Sequence, residues 1–329
     1  MGRMRLTVIG CAGSFPGPNS PASCYLLEAD GFSLVVDLGN GALGALQKHT
    51  GLFDVDAVAL SHLHADHCVD LYSYAIARTY SPDGPLPPIP VYGPAGARER
   101  IAAIGGPGDD DALMDRFSFQ TLAPGGLEIG PFGVTTAHMN HPVETFGFRF
   151  SCEGRSIAYS GDTGACDALV ELSEGTDMLL SEASFLDGPD LPPDLHLTAR
   201  QAAEHARAAG AEQLMLTHLQ AWNDPDASLE EAAAVYDGPL SRARPGLVVD
   251  FGEDLVLVSL LPRGSSLRPP MGELRPPFPG AQGADPFDAH AGAARPHSPR
   301  PGADPFDLHG GAARPPFPPP QGRSPPRVG

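Results

Sequence analysis

The chain has 329 residues, 42% of them hydrophobic, and a formal net charge of −19. That length allows one large domain or two small ones, with enough apolar content for a sizeable core. The acidity, with Lys48 as the single lysine and no run of basic residues, excludes a surface built to grip nucleic-acid phosphates.

The five cysteines, Cys11, Cys24, Cys68, Cys152 and Cys166, are odd in number and show no CxxC spacing. They read as buried free thiols of a reducing compartment, not as a disulfide framework or a zinc knuckle. The apolar run near the start, in MGRMRLTVIGCAGS, is too short for a signal peptide, and no window is long enough to span a membrane. A cytoplasmic protein is expected.

In chain order, MRLTVIG (4–10) and SCYLLEADGFSLVVDLG (23–39) read as strands, the second broken by a turn at Asp30-Gly31. DAVALSH (56–62) is an apolar strand that ends in histidine. HCVDLYSYAIARTY (67–80) has helical periodicity. IPVYGP is a short strand and ARERIAAIG a helix. Residues 127–142, 145–162 and 177–185 are further strands, with the middle stretch spent on two strands and a turn. LTARQAAEHARAAG (197–210) is an Ala-rich helix with Gly210 at its C-terminal end. Strand 212–218, helix 228–238 and a final strand or hairpin over 247–261 complete the body.

The body is taken as 1–263, and from 264 to 329 the composition changes to Pro, Gly, Ala and Arg. GADPFDAHAGAARP at 283–296 returns as GADPFDLHGGAARP at 302–315. Two copies with one Phe each cannot build a solenoid. The expectation is a disordered tail, which cannot bury enough apolar surface to offset its ordering entropy. Its histidines, His290, His297 and His309, read as solvated. The tail holds seven arginines against five acids, which leaves the body more acidic still.

SHLHADHCVDL (61–71) places His62, His64, Asp66 and His67 within six positions at a strand end. His62 and His64 can point to one side of an extended turn; Asp66 and His67 lie on the next turn, aimed differently. Such a cluster can begin two metal sites but cannot saturate them, which calls for more histidines and a bridging carboxylate. Three candidates also stand at strand ends: His141 in AHMNHPVETFGFRF, Asp162 in IAYSGDTG and His218 in LMLTHLQAW. His138 competes with His141, and His49 and His205 read as surface residues.

In this order, HLHADH, His141, SGD and TH, the motifs resemble those of the metallo-β-lactamase superfamily over most of residues 1–260. Consecutive strand–helix units combined with hairpins suggest an α/β fold, a four-layer αββα sandwich with two packed sheets and helices outside, and the resemblance implies the same. It implies two divalent metals, zinc by default, with manganese or iron as alternatives. His62, His64 and His141 would hold the first, Asp66, His67 and His218 the second, and Asp162 would bridge both. Cys68 is expected to be a structural thiol, not a further ligand.

LLSEASFLDGPDLPPDLHLTARQAAEHA, with Glu182 at a strand end and His196 before a helix, resembles the ribonuclease Z-like branch. There a Glu–His pair assists phosphodiester cleavage, although its His-Glu/Ser-Ala-Thr motif is here His-Leu-Thr at 196–198. Asp66, Glu182 and His196 are therefore the expected catalytic residues. Two metals of this kind lower the pKa of a water to about 7 and can hold phosphoryl oxygens. His196, kept protonated by Glu182, would give the leaving oxygen its proton.

GCAGSFPGPNSPASCYLLEADG, AYSGDTGACDALVEL and PPDLHLTARQAA look close to the actinobacterial cyclic-nucleotide-degrading phosphodiesterases. That resemblance implies hydrolysis of 3′,5′-cyclic AMP, with other cyclic nucleotides as further candidates, to the 5′-monophosphate. Ribonuclease Z carries a tRNA-gripping arm between its third and fourth motifs. Here His141 and Asp162 stand too close in sequence for one. The partner expected is a small anionic phosphodiester, with no nucleic acid and no membrane. A homodimer and a protein that binds the tail are further partner expectations. The loop Pro18–Ser23 is expected to border the substrate. The rival functions are a tRNA 3′-processing endonuclease, a carboxylic- or sulfate-ester hydrolase, and a non-catalytic scaffold whose tail recruits partners.

Overall fold

The computed structural model describes residues 3–106, 110–252 and 256–260. The expected tail and its repeat lie outside the described residues.

The first sheet takes β1 (Met4–Gly10), β2 (Cys24–Ala29), β3 (Phe32–Val36), β4 (Ala57–Ala59), β5 (Ile89–Gly93) and β6 (Phe117–Thr121). The second takes β7 (Gly125–Ile129), β8 (Phe132–His138), β9 (Phe146–Cys152), β10 (Arg155–Tyr159), β11 (Met178–Glu182), β12 (Leu214–Thr217) and β13 (Leu240–Arg242). The chain then returns to the first sheet with β14 (Leu247–Phe251) and β15 (Val256–Leu260). The orders are β15-β14-β1-β2-β3-β4-β5-β6 and β13-β12-β11-β10-β9-β8-β7. Each sheet is half antiparallel hairpins and half parallel strands. In the first, β3 to β6 run parallel; in the second, β10 to β13 do.

The helices are α1 (Ala42–Leu46), α2 (Ala65–Cys68), α3 (Asp70–Thr79), α4 (Ala97–Ala102), α5 (Asp110–Met114), α6 (Asp167–Leu172), α7 (Ala199–Ala209) and α8 (Pro225–Ala233). Among the described residues no helix is long and apolar enough to cross a membrane.

Strand alternation sorts the side chains into three buried layers. Leu6, Tyr25, Leu27, Phe148, Phe150, Tyr159 and Leu180 face inward between the sheets. Phe146, Phe148 and Phe150 fall on one face of β9 by the two-residue period, and the last two rings stack at 5.4 Å. Truncating such a ring to Ala costs about 3–5 kcal/mol. Leu26, Val35 and Val58 face outward, under Leu71, Tyr74 and Ile101. On the far side Leu179, Leu214 and Leu216 meet Ala199, Ala202, Ala203 and Ala206 of α7. The αββα sandwich expected from the sequence is the fold observed.

The alanines of α7 recur at helical spacing and let the helix sit close on the sheet. Its N-terminus carries a capping box between Thr198 and Gln201, and Gly210 closes it in the left-handed conformation (φ 63°). The turn at Asp30-Gly31 has positive φ at both residues, as a tight hairpin requires.

Several elements differ from expectation. The apolar stretch from 127 is two strands turning at Gly130 (φ 56°). The expected helix 67–80 is two helices, α2 and α3. The helix expected over 228–238 starts earlier, where Asp224 accepts from the Asp226 N–H and Pro225 opens the first turn. The short α1, α5, α6, β6 and β13 were not anticipated. The five cysteines are free thiols, four of them buried.

Candidate active site

The chemistry-bearing residues gather where parallel strands end. Asp37 follows β3, His62 follows β4 by three residues, Asp162 follows β10, Glu182 ends β11 and His218 follows β12. Open α/β sheets place ligands at these strand ends. His141 comes from the loop between β8 and β9. His64 is extended (ψ 151°) and serves as the N-cap of α2. The chain thus turns between His64 and Asp66, which aims Asp66 and His67 away from the first pair.

Two groups result, each with its ligand atoms within 4.8 Å of one another: His62, His64, His141 and Asp162, and Asp66, His67, Asp162 and His218. Asp162 is common to both. Its Oδ2 lies 3.6 Å from His62 Nε2, while Oδ1 lies 3.3 Å from His67 Nε2 and 3.5 Å from His218 Nε2. Its two oxygens therefore face different groups. Asp66, expected in both a ligand and a catalytic role, lies in the second group, with Oδ2 3.1 Å from His218 Nε2.

Close approach of backbone makes this possible. Gly161 precedes Asp162 with φ 57°, and a Cβ there would come within 3.0 Å of the Phe146 carbonyl. At Gly13 a Cβ would collide with the carbonyl oxygen of His218, itself at φ 55°.

Outer hydrogen bonds fix the imidazoles. His67 Nδ1 donates to Asp37 Oδ2 at 2.8 Å. His218 Nδ1 meets Ser184 Oγ at 2.7 Å, His141 Nδ1 donates to the Leu195 carbonyl at 2.9 Å, and His62 Nδ1 meets Ser61 Oγ at 3.0 Å. This leaves Nε2 of all four rings for the cluster, with His64 offering Nδ1.

Charge follows the same division. Burial, assisted by the neighbouring His67, pushes His62 well below the ordinary histidine pKa; burial also lowers His64 and His141. These rings are neutral and ready to act as ligands. Burial opposes the charged form of His67 too, but Asp162 and Asp37 outweigh it and raise the ring well above its usual value. Taking up a cation there would release a proton. Burial likewise works against ionised Asp162, and His218, His67 and His62 outweigh it, holding the carboxyl well below the carboxylate range.

The groups fit metal ions. Imidazole nitrogens crowd together: His62 Nε2 to His64 Nδ1 is 3.0 Å, His141 Nε2 to His64 Nδ1 3.3 Å, and His67 Nε2 to His218 Nε2 3.2 Å. Asp162 Oδ1 is buried without a hydrogen-bond partner. Such crowding of buried ligand atoms suits a cation at the centre of each group.

A third group adjoins them. His196 Nδ1 is 2.8 Å from Glu182 Oε1 and 4.0 Å from Asp162 Oδ2. Glu182 is fully buried and also accepts from the Thr163 and Ser184 N–H groups. The segment that carries His196 is pinned by Phe185, whose N–H donates to the Leu197 carbonyl and whose carbonyl accepts from Ala199 N–H. Burial lowers His196, but the hydrogen bond and charge of Glu182 outweigh it and raise the ring above its ordinary value.

All the expected residues, His62, His64, Asp66, His67, His141, Asp162, Glu182, His196 and His218, are brought together. His138 is not: its ring packs on Phe146 at 4.7 Å and is exposed. His205 is half-buried rather than a free surface residue, and its Nε2 accepts from the Cys166 N–H. Pro18–Ser23 includes packing contacts: the Pro21 carbonyl accepts from Cys11 and Ala12 N–H groups. Ser14, four residues before that stretch, reaches the site instead, its N–H 3.3 Å from His218 Nε2. The sequence reading missed Asp37, Ser61, Tyr159 and Ser184. Asp37 alone carried a signal, an acidic residue ending the apolar run LVVD.

The beta-lactamase superfamily domain matches residues 34–219, more than half of the chain. The chain belongs to the metallo-β-lactamase superfamily. An uncharacterized protein of Mycobacterium tuberculosis is 44% identical over 242 residues, covering 72% of this chain and 88% of its own. Bacillus subtilis YhfI, named as a probable metallo-hydrolase, is 31% identical over 252 residues, 74% of this chain and 99% of its own. The crystal structure of YhfI, a metallo-beta-lactamase fold protein, matches with a TM-score of 0.68 over 75% of this chain and 99% of YhfI. A ribonuclease Z of Myxococcus xanthus is 28% identical over 307 residues, 76% of this chain and 99% of its own. This superfamily member is a metallo-hydrolase.

Proposed function

We propose that the protein hydrolyses a small phosphodiester, with 3′,5′-cyclic AMP as the foremost substrate and its 5′-monophosphate as product. The observation that carries this reading is the Glu182–His196 pair beside Asp162. His62, His64 and His141 would hold one divalent metal, Asp66, His67 and His218 a second, and Asp162 would join them. Zinc suits this donor set, and manganese or iron could replace it. Bound there, the metals would acidify water and offset phosphoryl charge.

The chain's own part is proton management. Glu182, fixed by two backbone N–H groups, accepts from His196 Nδ1 and keeps the ring charged, which leaves Nε2–H for the departing ribose oxygen. An alkoxide of high pKa needs that proton; general acid catalysis of this kind is worth about 10²–10⁴-fold. Substrate size is argued from β9 and β10. The stretch from His141 to Asp162 is spent on this hairpin, turning at Glu153 and Gly154, where ribonuclease Z carries its arm by the resemblance above. The net charge of −19 also disfavours a polyanionic tRNA more than a monoanionic diester.

The test is a hydrolysis panel of the metal-loaded protein with cyclic AMP, a tRNA precursor and bis-p-nitrophenyl phosphate, repeated on His196→Ala. Cyclic AMP should be cleaved and the tRNA precursor left intact. The variant should keep its metals and lose far more activity on cyclic AMP than on the activated diester, whose p-nitrophenolate leaves without a proton. Equal losses on both would remove His196 as the acid; cleavage of the tRNA precursor alone would replace the substrate.

A further inference from the structure

The chain has one tryptophan, Trp222, and 68% of it is exposed. It does not sit on a loose loop. Upstream by four residues is His218. The turn that carries Trp222 is closed by Asn223 N–H to the Gln220 carbonyl at 3.0 Å. Asn223 Nδ2 donates to the Ser184 carbonyl at 2.8 Å, and the Ser184 hydroxyl is the group that meets His218 Nδ1. Asp224 then caps α8. The turn is thus pinned on both sides, one side through the residue that orients a site histidine.

The loop facing it is held as firmly. Gly13 N–H donates to the Leu219 carbonyl at 3.1 Å, and Ala12 bridges Leu219. Ser14 brings its N–H to His218 Nε2 and accepts φ 62° to do so. The next residue, Phe15, places its ring centroid 5.0 Å from that of Trp222, the planes tilted by 39°. Two aromatic rings therefore stand together, one on the residue after Ser14 and the other four residues after His218. Burying the indole would be favourable, yet most of it faces solvent on a backbone held in place.

We propose that Trp222, supported by Phe15, is the platform on which the substrate's nucleobase stacks while its phosphodiester occupies the cluster. This rests on the phosphodiester reading above. Stacking on an aromatic face accepts any base, because every base has a π-face. The platform therefore selects nucleotides over simple alkyl diesters, and purines over pyrimidines by stacking area.

Trp222 being the sole tryptophan, its intrinsic fluorescence reports the contact directly. The full-length, metal-loaded chain is titrated with adenosine 5′-monophosphate and, separately, with ribose 5-phosphate. Occupancy of each is established by inhibition of bis-p-nitrophenyl phosphate hydrolysis. Adenosine monophosphate should quench the emission as it inhibits, and ribose 5-phosphate should inhibit without quenching. Trp222→Ala should raise KM for cyclic AMP by about 5–150-fold with a smaller change in kcat. Trp222→Phe, which keeps a ring, should recover most of the loss and shows that the turn still folds. Inhibition by adenosine monophosphate with unchanged fluorescence, or an unchanged KM in Trp222→Ala, overturns the platform. Were cyclic AMP not hydrolysed while base-dependent quenching persisted, the platform would stand and the assigned substrate would fall. Normal hydrolysis without quenching would sink the platform alone.

Discussion

Asp37→Asn changes a single buried oxygen to an NH2 group and should disarm His67 without touching it. Asp37 is fully buried. Its Oδ1 accepts from Ser61 N–H at 2.7 Å; Oδ2 accepts from Ser61 Oγ, Tyr159 OH and His67 Nδ1, each at 2.8 Å. In the amide, Oδ1 can keep the Ser61 N–H. The NH2 group then faces three former donors. Ser61 Oγ and Tyr159 OH can rotate their hydrogens and accept. His67 cannot: to accept at Nδ1 it must place its proton on Nε2, the atom aimed at Asp162 and His218. The substitution thus converts a ligand lone pair into an N–H directed at the metal. Groups that orient metal-binding histidines in this way are worth about 10–100-fold in metal affinity or activity. The folded state should lose about 1–3 kcal/mol as well, from the weakened buried bonds. Competition of zinc against a fluorescent chelator reads the affinity of each site, and thermal melting of the metal-free chain reads stability. Both sites binding zinc at wild-type affinity would refute the tautomer argument. Weakening of the site without His67 alone would refute the pairing of ligands.

Three other outcomes are expected. Asp162→Ala should lose at least one of two metals per chain by elemental analysis; unchanged stoichiometry would remove Asp162 from the bridge. Because Glu182 raises His196, its charged form persists above the usual histidine range and is lost as pH rises through the raised value; the alkaline limb of the pH–rate profile should report this. In Glu182→Gln that limb should move to lower pH with the metals retained, and an unmoved limb would assign it to another group. A chain truncated after Pro262 should keep its turnover and melting temperature, and a large drop in either would show that the residues beyond serve the catalytic domain.

The metal-type residues were legible because they cluster in the chain before they cluster in space. HLHADH announces itself, and a residue such as Asp162 or His218 stands out by ending an apolar strand. The four-layer sandwich was legible through consecutive strand–helix units combined with hairpins. What escaped was of two kinds. α1 and α6 have five and six residues, too few turns for a helical period to register. Tyr159 and Ser184 matter through neighbours far away in sequence, Tyr159 reaching Asp37 across 122 positions and Ser184 reaching His218 across 34, and Ser61 links the adjacent His62 to Asp37, 24 positions back. A serine or a strand tyrosine has no spacing that foretells such a partner. Asp37 meets the strand-end criterion that picks out Asp162, since it closes the apolar run LVVD.

The site straddles a seam. His62, His64, Asp66 and His67 follow a strand of one sheet, while Asp162, Glu182 and His218 follow or end strands of the other. Neither sheet alone offers either four-residue group, so a cation cannot template one of them during folding and can settle only after the two apolar faces have met. A ligand that arrives after the folding barrier stabilises the native state and not the transition state, so its effect falls on the unfolding rate. Refolding traces with and without zinc should superimpose, and a chelator should hasten unfolding. Metal supply would then set the lifetime of the folded enzyme and leave the speed of its assembly untouched.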